Sequence, residues 1–277
     1  MACKIAIANH KGGVGKTTST ATLADALARQ GQRVLIMDMD PQANLTTLLI
    51  GDHVEPAITM ANLLIEKESM ALEIFGQGIV RETTITGVSL MPSGLELDYV
   101  ANELRLNAFT SPVLYLKRRV SHIEDQFDFI LIDTPPTMNL LTMNALGAAD
   151  KLIVPFLAGD KMGLSGVVNL LRSIEQIKDP SNNPDLEILG AVITGYDGRE
   201  HAHRTTDLVI EKTFNILGRV PRSAKVQRGA LARKTILSED RTSRAAREYV
   251  KIAADILEGL GIKPKRSAKD IEEMNDE

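Results

Sequence analysis

The segment NHKGGVGKTTST, from Asn9 to Thr20, constrains the fold of this chain more than any other feature. It follows KIAIA (Lys4–Ala8), a short apolar run that predicts a buried strand. Apolar residues at helical spacing come next and end at Gly31, before a second apolar run, RVLIMD (Arg33–Asp38). Strand, glycine loop, helix and strand form a βαβ unit, which requires parallel strands joined by a right-handed crossover.

The remaining sequence continues this alternation of strands and helices. Further strands are predicted at 87–93, Phe127–Asp133, Lys151–Phe156, Leu186–Thr194 and Asn215–Val220. Helices are predicted at about 46–67, and at Leu95–Leu106, Pro112–Asp125, Thr137–Gly147, Gly163–Lys178, His203–Thr213 and Thr242–Leu260. We find no internal repeat and no long linker. We therefore expect one α/β domain over residues 1–262, with a doubly wound, mostly parallel sheet and helices on both faces, and a charged C-terminal tail over 263–277.

The glycine loop has the composition of a phosphate-binding loop. Glycines permit the left-handed backbone and the close approach that let successive N–H groups point at an anion in front of a helix. Lys16 is placed to neutralise the β- and γ-phosphates of a nucleotide, and the Thr17 hydroxyl to bind Mg²⁺. A fortuitous glycine turn is the alternative. The preceding strand and the following helix favour nucleotide binding through Gly12, Gly13, Val14, Gly15, Lys16, Thr17 and Thr18.

Acidic residues that end two predicted strands are candidates to complete this site. Asp133 ends FILID, at the carboxyl edge where a doubly wound sheet binds ligands, and is expected to support Mg²⁺. The alternative role for Asp133 is a cap for the helix at Thr137–Gly147. In DMDPQANLT, Asp40 is a better candidate than Asp38 to orient water for attack on the γ-phosphate, with a turn or cap as the alternative.

The charge distribution is uneven along the chain. The net charge is −4, yet the segment from Arg199 to Lys251 has 13 Lys or Arg residues against 6 Asp or Glu, a local charge of +7. This segment is either a surface that faces a polyanion or an ordinary solvated helical face. The single cysteine, Cys3, excludes an internal disulfide and fits a reducing cytoplasm. No apolar run approaches the roughly 18 residues that a membrane span needs.

Three motifs in order, KGGVGKTT, DMDPQANLT and LIDTPP, resemble those of the deviant Walker-A ATPases of the ParA/Soj/MinD group. The resemblance is strongest to ParA/Soj and runs from about Lys4 to about Leu260. It includes IVPFLAGDKMGLSGVVNLL, VPRSAKV and SRAAREY in the second half of the chain.

The resemblance implies a P-loop NTPase fold, ATP and Mg²⁺ as ligands, and a role for each motif residue. The additional lysine, Lys11, would reach the phosphates of the partner in an ATP-bound dimer, whereas the residues alone leave an ordinary solvated lysine as the alternative. Lys16, Thr17 and Thr18, with Gly12, would bind phosphate and Mg²⁺. The other implied roles are water positioning by Asp40, metal support by Asp133, stabilisation of the lysine or metal network by Asp38, and packing near adenine by Pro221. Intrinsic hydrolysis is expected to be slow and to be stimulated by a partner.

The resemblance also implies that the ATP-bound dimer binds double-stranded DNA without sequence preference and acts with a ParB-type protein on the nucleoid, in the cytoplasm. No helix-turn-helix precedes the first predicted strand, so we expect no operator binding. VQRGALARKT (Val226–Thr235) departs from the family by being more basic. The candidate DNA contacts are Arg199, Arg204, Arg222, Lys225, Arg228, Arg233, Lys234, Arg244 and Arg247.

Several alternatives share parts of this chemistry. A ParA-like ATPase could position a protein cargo in place of DNA. A MinD-like ATPase would end in a basic amphipathic helix, whereas residues 266–277 have two basic and five acidic residues, so no membrane partner is expected. An iron-protein-like electron donor would need cluster cysteines besides Cys3. An adaptor that holds ATP without hydrolysing it is the non-enzymatic alternative.

Overall fold

The computed structural model describes residues 1–51, 56–66, 68–106, 111–160 and 163–266, and its strands form an eight-stranded sheet. The strand order is β3-β4-β2-β5-β1-β6-β7-β8, and every neighbouring pair is parallel except β3 with β4. This confirms the doubly wound, mostly parallel sheet. The strands are β1 (Cys3–Ile7), β2 (Val34–Asp38), β3 (Arg81–Glu82), β4 (Val88–Met91), β5 (Phe129–Asp133), β6 (Lys151–Leu157), β7 (Glu187–Tyr196) and β8 (Ile216–Pro221).

A left-handed glycine and polar capping side chains mark several of the helix ends. The first helix stops before Gly31, whose φ of 86° is left-handed, as predicted. Serine, threonine and asparagine side chains accept backbone N–H groups at several helix starts. The helices are α1 (Lys16–Arg29), α2 (Asn44–Ile50), α3 (Met60–Ile65), α4 (Ala71–Gly76), α5 (Glu96–Leu106), α6 (Tyr115–Val120), α7 (Leu140–Ala148), α8 (Gly163–Ile177), α9 (His201–Glu211), α10 (Ala224–Leu231), α11 (Ile236–Asp240) and α12 (Arg244–Gly259).

Both faces of the sheet are covered by helices, which explains why its central strands are mainly apolar, apart from Lys4 in β1 and the aspartates that end β2 and β5. In β2, Ile36 belongs to the core formed with α1 and α12, whereas Leu35 and Met37 belong to a second core on the opposite face. Ile36, Leu35 and Met37 are fully buried, and each contributes about 1.5–3 kcal/mol relative to an exposed side chain. Two-sided burial therefore accounts for the continuous apolar runs.

The strand register positions the acidic residues of the site. Asp133 pairs in register with Asp38 of β2 on one side and with Ile7 of β1 on the other. The carboxyl ends of β1, β2 and β5 therefore lie side by side. The loop that follows β1 and the two aspartates are brought to one edge of the sheet.

Two predicted helices are shorter in the structure than in the sequence-based assignment. The helix predicted at 46–67 is two helices, α2 and α3, because Gly51 at the end of α2 has a left-handed φ of 91°. Residues 52–55 and 67 of that prediction lie outside the described residues. Only Tyr115–Val120 of the helix predicted at Pro112–Asp125 is α-helical. The elements β3, α4, α10 and α11 were not predicted, because each is too short for its periodicity to be recognised.

The start of the proposed C-terminal tail packs against the domain. The N–H of Lys265 donates to the carbonyl of Gln30 at 3.0 Å, and its ammonium lies 2.5 Å from Asp128. Residues 267–277 of the predicted tail lie outside the described residues.

Candidate nucleotide-binding site

The loop between β1 and α1 forms the floor of a cavity of about 830 Å³. Gly13 and Gly15 have left-handed φ values of 74° and 90°, and a Cβ at Gly15 would lie 3.1 Å from a Thr194 methyl. These positions therefore require glycine. The first backbone N–H groups of α1 have no partner within the helix and belong to the same loop. The cavity is lined by Gly12, Gly13, Gly15, Lys16, Thr17, Thr18, Asp40, Gln42, Asn44, Thr47, Leu48, Pro136, Gln227, Ala230 and Leu231.

A second cavity of about 450 Å³ adjoins the first at Gly13, Gly15 and Thr18. Its wall includes Pro221, at the end of β8, where the resemblance predicted a contact with adenine. Val14, another predicted contact, is buried, and its carbonyl accepts a hydrogen bond from the Thr194 hydroxyl at 2.9 Å. Any contribution of Val14 to ligand binding is therefore through its backbone.

The two lysines of the loop have different partners. Lys16 is buried, and its ammonium donates to the carbonyl of Lys11 at 3.1 Å, so it closes over its own loop. Burial lowers the pKa of Lys16, whereas the charges of Asp133 and Asp40 oppose this shift. The ammonium of Lys11 pairs instead with Asp160, at 2.6 Å, beyond the end of β6.

Asp133 lies directly behind the threonines of α1. Its Oδ2 accepts from the Thr17 hydroxyl at 2.8 Å and its Oδ1 from the Thr20 hydroxyl at 3.1 Å. Burial, together with the negative charge of Asp38, raises the pKa of Asp133 to about 8. The alternative role as a helix cap is wrong, because Asn139 caps α7. The carboxylate and the Thr17 hydroxyl are hard oxygen donors, as Mg²⁺ requires.

Asp38 and Asp40 have separate environments. Asp38 is fully buried and accepts three hydrogen bonds, from the N–H and hydroxyl of Thr46 and from the N–H of Asp40. Burial raises the pKa of Asp38 to about 6. Asp40 lines the cavity, and the Ser93 hydroxyl donates to its backbone carbonyl at 2.7 Å. Asp38 thus fixes the chain after β2. The Asp40 carboxylate accepts from the N–H of Gln42 at 3.0 Å, so Asp40 makes the turn contact given as its alternative role while also lining the cavity.

Sequence analysis missed several residues that hold this site in place. The contact of Thr20 with Asp133 could have been predicted, since Thr20 lies one helical turn after Thr17 and therefore on the same face of α1. Thr46, Ser93, Thr194 and Asp160 come from separate elements, and only the sheet order brings them together.

The nine candidate DNA contacts divide into two groups. Arg199, Lys225 and Arg228 are paired with Asp197, Asp240 and Glu239, respectively, and Arg204 donates to backbone carbonyls. The guanidinium of Arg233 lies against Gly51, at the end of α2. The other four are exposed and have no acidic partner within the described residues: Arg222, Lys234, Arg244 and Arg247.

Comparisons with known proteins agree with this geometry. A family model described as an AAA domain matches residues 2–188. The chromosome partitioning protein ParA of Caulobacter vibrioides is 32% identical over 258 residues, which cover 91% of this chain and 93% of that protein. The chromosome-partitioning ATPase Soj of Thermus thermophilus is 33% identical, with 92% and 95% covered. The chain belongs to the ParA/Soj family.

A solved structure similar to this ParA/Soj-family chain is consistent with ATP and Mg²⁺ as ligands. Cobyrinic acid a,c-diamide synthase from Mycobacterium smegmatis, solved with ADP and magnesium, has a TM-score of 0.78 and 29% identity, with 97% of this chain and 100% of that chain covered. ATP and Mg²⁺ fit the loop described above, because the glycine cradle, Lys16 and the Thr17–Asp133 pair supply phosphate and metal ligands.

Proposed function

We propose that this ParA/Soj-family ATPase forms an ATP-dependent dimer, binds double-stranded DNA without sequence preference, and partitions plasmid or chromosomal DNA with a ParB-type partner. The observation that carries the proposal is the placement of the two lysines. Lys16 serves its own loop, whereas the ammonium of Lys11, on the same loop, is held outside it and remains 41% exposed. Lys11 therefore takes no part in its own phosphate loop, and we infer that its ammonium serves phosphates that another chain supplies.

Within one chain, the described residues divide the work of hydrolysis. Lys16 and the backbone of the glycine loop bind the phosphates, and Thr17 with Asp133 would hold Mg²⁺. When bound, Mg²⁺ neutralises charge on the β- and γ-phosphates. Asp40, fixed through its carbonyl by Ser93, orients water at the phosphate cavity. Lys11 of the second copy would then add positive charge at the γ-phosphate, which couples hydrolysis to dimer formation.

The exposed basic side chains of this chain support DNA as its binding partner. Arg222, Arg244 and Arg247, with Lys234, are exposed, and no acid among the residues that the structure describes pairs with them. Two copies present this charge twice, and each neutralised phosphate releases counterions. No helix within the described residues is both long and apolar enough to cross a membrane. We propose that the protein acts in the cytoplasm, on the nucleoid, with protein-cargo positioning as the alternative use of the same chemistry.

Light scattering of wild type and Lys11→Ala, each with ADP and with a slowly hydrolysed ATP analogue, tests this function. Wild type is expected to dimerise only with the ATP analogue and, as a dimer, to retain DNA of any sequence. Lys11→Ala should bind nucleotide nearly as well but dimerise and hydrolyse poorly. A wild-type protein that stays monomeric with both nucleotides would contradict the proposal.

A further inference from the structure

The ion pair between Lys11 and Asp160 is closer and less exposed than an ordinary surface pair. The ammonium of Lys11 lies 2.6 Å from Oδ2 of Asp160, and the Asp160 side chain is only 12% exposed. A carboxylate so nearly buried needs a cation, because leaving it unpaired costs free energy. In this structure Lys11 supplies that cation.

The chain around Asp160 is held in place without help from Lys11. The N–H of Ala158 donates to the carbonyl of Thr194 at 2.9 Å, and Gly159 has a left-handed φ of 76°. The His203 ring packs so closely there that a Cβ at Gly159 would lie 2.6 Å from its Cδ2. These contacts fix the backbone that presents Asp160, so the pair depends on where the Lys11 side chain lies.

Pairing with Asp160 and pairing with the phosphates of a second copy are mutually exclusive roles for the Lys11 ammonium. An ammonium paired with Asp160 at 2.6 Å is not free to pair with the phosphates of a second copy. We propose that Asp160 is a positioning residue for Lys11: it holds the lysine within its own chain and releases it only when a second, triphosphate-loaded copy docks. The inference rests on the proposed function, since it assumes the ATP-dependent dimer.

Twofold symmetry increases the expected effect of Asp160 on the dimer dissociation constant. In a twofold dimer both Lys11 side chains must leave Asp160, so the cost of breaking one pair enters twice. An exposed or partly exposed ion pair changes an equilibrium about 2- to 5-fold. Removing Asp160 should therefore tighten the dimer about 4- to 25-fold, the square of that factor.

The test measures dimer dissociation constants of wild type and Asp160→Asn with the ATP analogue and Mg²⁺, by sedimentation. Asp160→Asn is expected to dimerise at about 4- to 25-fold lower concentration than wild type. The matched control is Glu187→Gln. It removes the acid of the Lys151–Glu187 pair, which lies where β6 and β7 begin, whereas Asp160 follows the end of β6. This variant should leave the dimer dissociation constant unchanged. Equal or weaker dimerisation by Asp160→Asn would overturn the inference. A wild-type monomer with the ATP analogue would instead overturn the proposed function.

A second measurement on nucleotide-free protein does not depend on dimer formation. Amine acylation followed by peptide mapping reports the availability of each lysine, with the exposed Lys263 as internal reference. Lys11 should react faster in Asp160→Asn than in wild type, and at the wild-type rate in Asp160→Glu, which can re-form the pair. Unchanged reactivity of Lys11 in Asp160→Asn would show that Asp160 does not hold it.

Discussion

The hydroxyl of Thr17 lies 2.8 Å from Oδ2 of Asp133, across the junction between the phosphate loop and the central strand β5. Asp133 is fully buried, and its register partner is a second buried aspartate, Asp38. Two carboxylates on adjacent strands repel each other when both are ionised. The two acids therefore favour protonation in the folded protein, and a divalent cation bound there would favour their ionised forms.

The first prediction concerns the stability of nucleotide-free, metal-free protein against pH. The folded state raises the pKa of Asp133 to about 8 and that of Asp38 to about 6, from an ordinary value near 4, so the folded state binds more protons than the unfolded state between these limits. Stability should therefore fall as pH rises from about 4 to about 8. Asp133→Asn should flatten this fall and raise the melting temperature at pH 8 by about 2–4 °C.

Differential scanning fluorimetry at pH 5 and pH 8 in EDTA measures this effect. Asp179→Asn is the control, because Ser181 lowers the pKa of that exposed acid and its contribution to stability is lost only under more acidic conditions. A wild-type melting temperature that is higher at pH 8 than at pH 5 would show that the buried acids are not the dominant titrating pair.

The second prediction distinguishes the role of Asp40 in hydrolysis from the role of Ser93, which holds the backbone at Asp40. Asp40→Ala should lower phosphate release about 100- to 10,000-fold while ATP still binds, because the group that orients water is lost. Ser93→Ala removes only the hydroxyl that donates to the Asp40 carbonyl at 2.7 Å, so it should lower turnover several-fold with a Kd for ATP within about 2-fold of wild type.

Phosphate release and binding of a fluorescent ATP analogue distinguish these effects. Ser181→Ala, in an exposed turn, is the matched control for the loss of a serine hydroxyl. Wild-type turnover in Ser93→Ala would mean that the contact does not position Asp40, and wild-type turnover in Asp40→Ala would remove that residue from the reaction.

The sequence was sufficient for the central sheet, because strands buried on both faces contain nearly continuous apolar runs and the glycine loop fixes the first βαβ unit. It failed over residues 46–67, where leucines continue on both sides of Gly51 and conceal a left-handed break. Short elements such as α10 and α11 were also missed, since their boundaries depend on the caps at Ser223 and Thr235.

The phosphate loop was predictable for a different reason: its ligands are contiguous in the sequence. Lys16 and Thr17 are adjacent, so local spacing alone places them at one helix start. Asp160 is 149 positions from Lys11, and no periodicity connects them. Partners of this kind follow from strand order, which residue patterns do not specify.

The third prediction concerns the basic surface. Arg244 and Arg247 are exposed, lie one turn apart at the start of α12, and have no acidic partner within the described residues. If both contact DNA phosphates in each copy of the dimer, Arg244→Ala with Arg247→Ala removes four contacts. It should therefore reduce the slope of log K against log salt by about 4 per dimer and weaken binding to all sequences alike. Arg199, in contrast, is neutralised by Asp197, so Arg199→Ala should change the slope less.

Fluorescence anisotropy with labelled duplexes of unrelated sequence, over a series of salt concentrations, measures this slope. Lys117→Ala with Lys178→Ala removes two exposed lysines outside the basic segment and controls for overall charge. Because each phosphate contact releases counterions from the DNA itself, only residues at the interface alter the slope, whereas distant charges change affinity weakly. An unchanged slope in the Arg244 and Arg247 double variant, together with normal ATP-dependent dimerisation, would place the DNA surface elsewhere on the dimer.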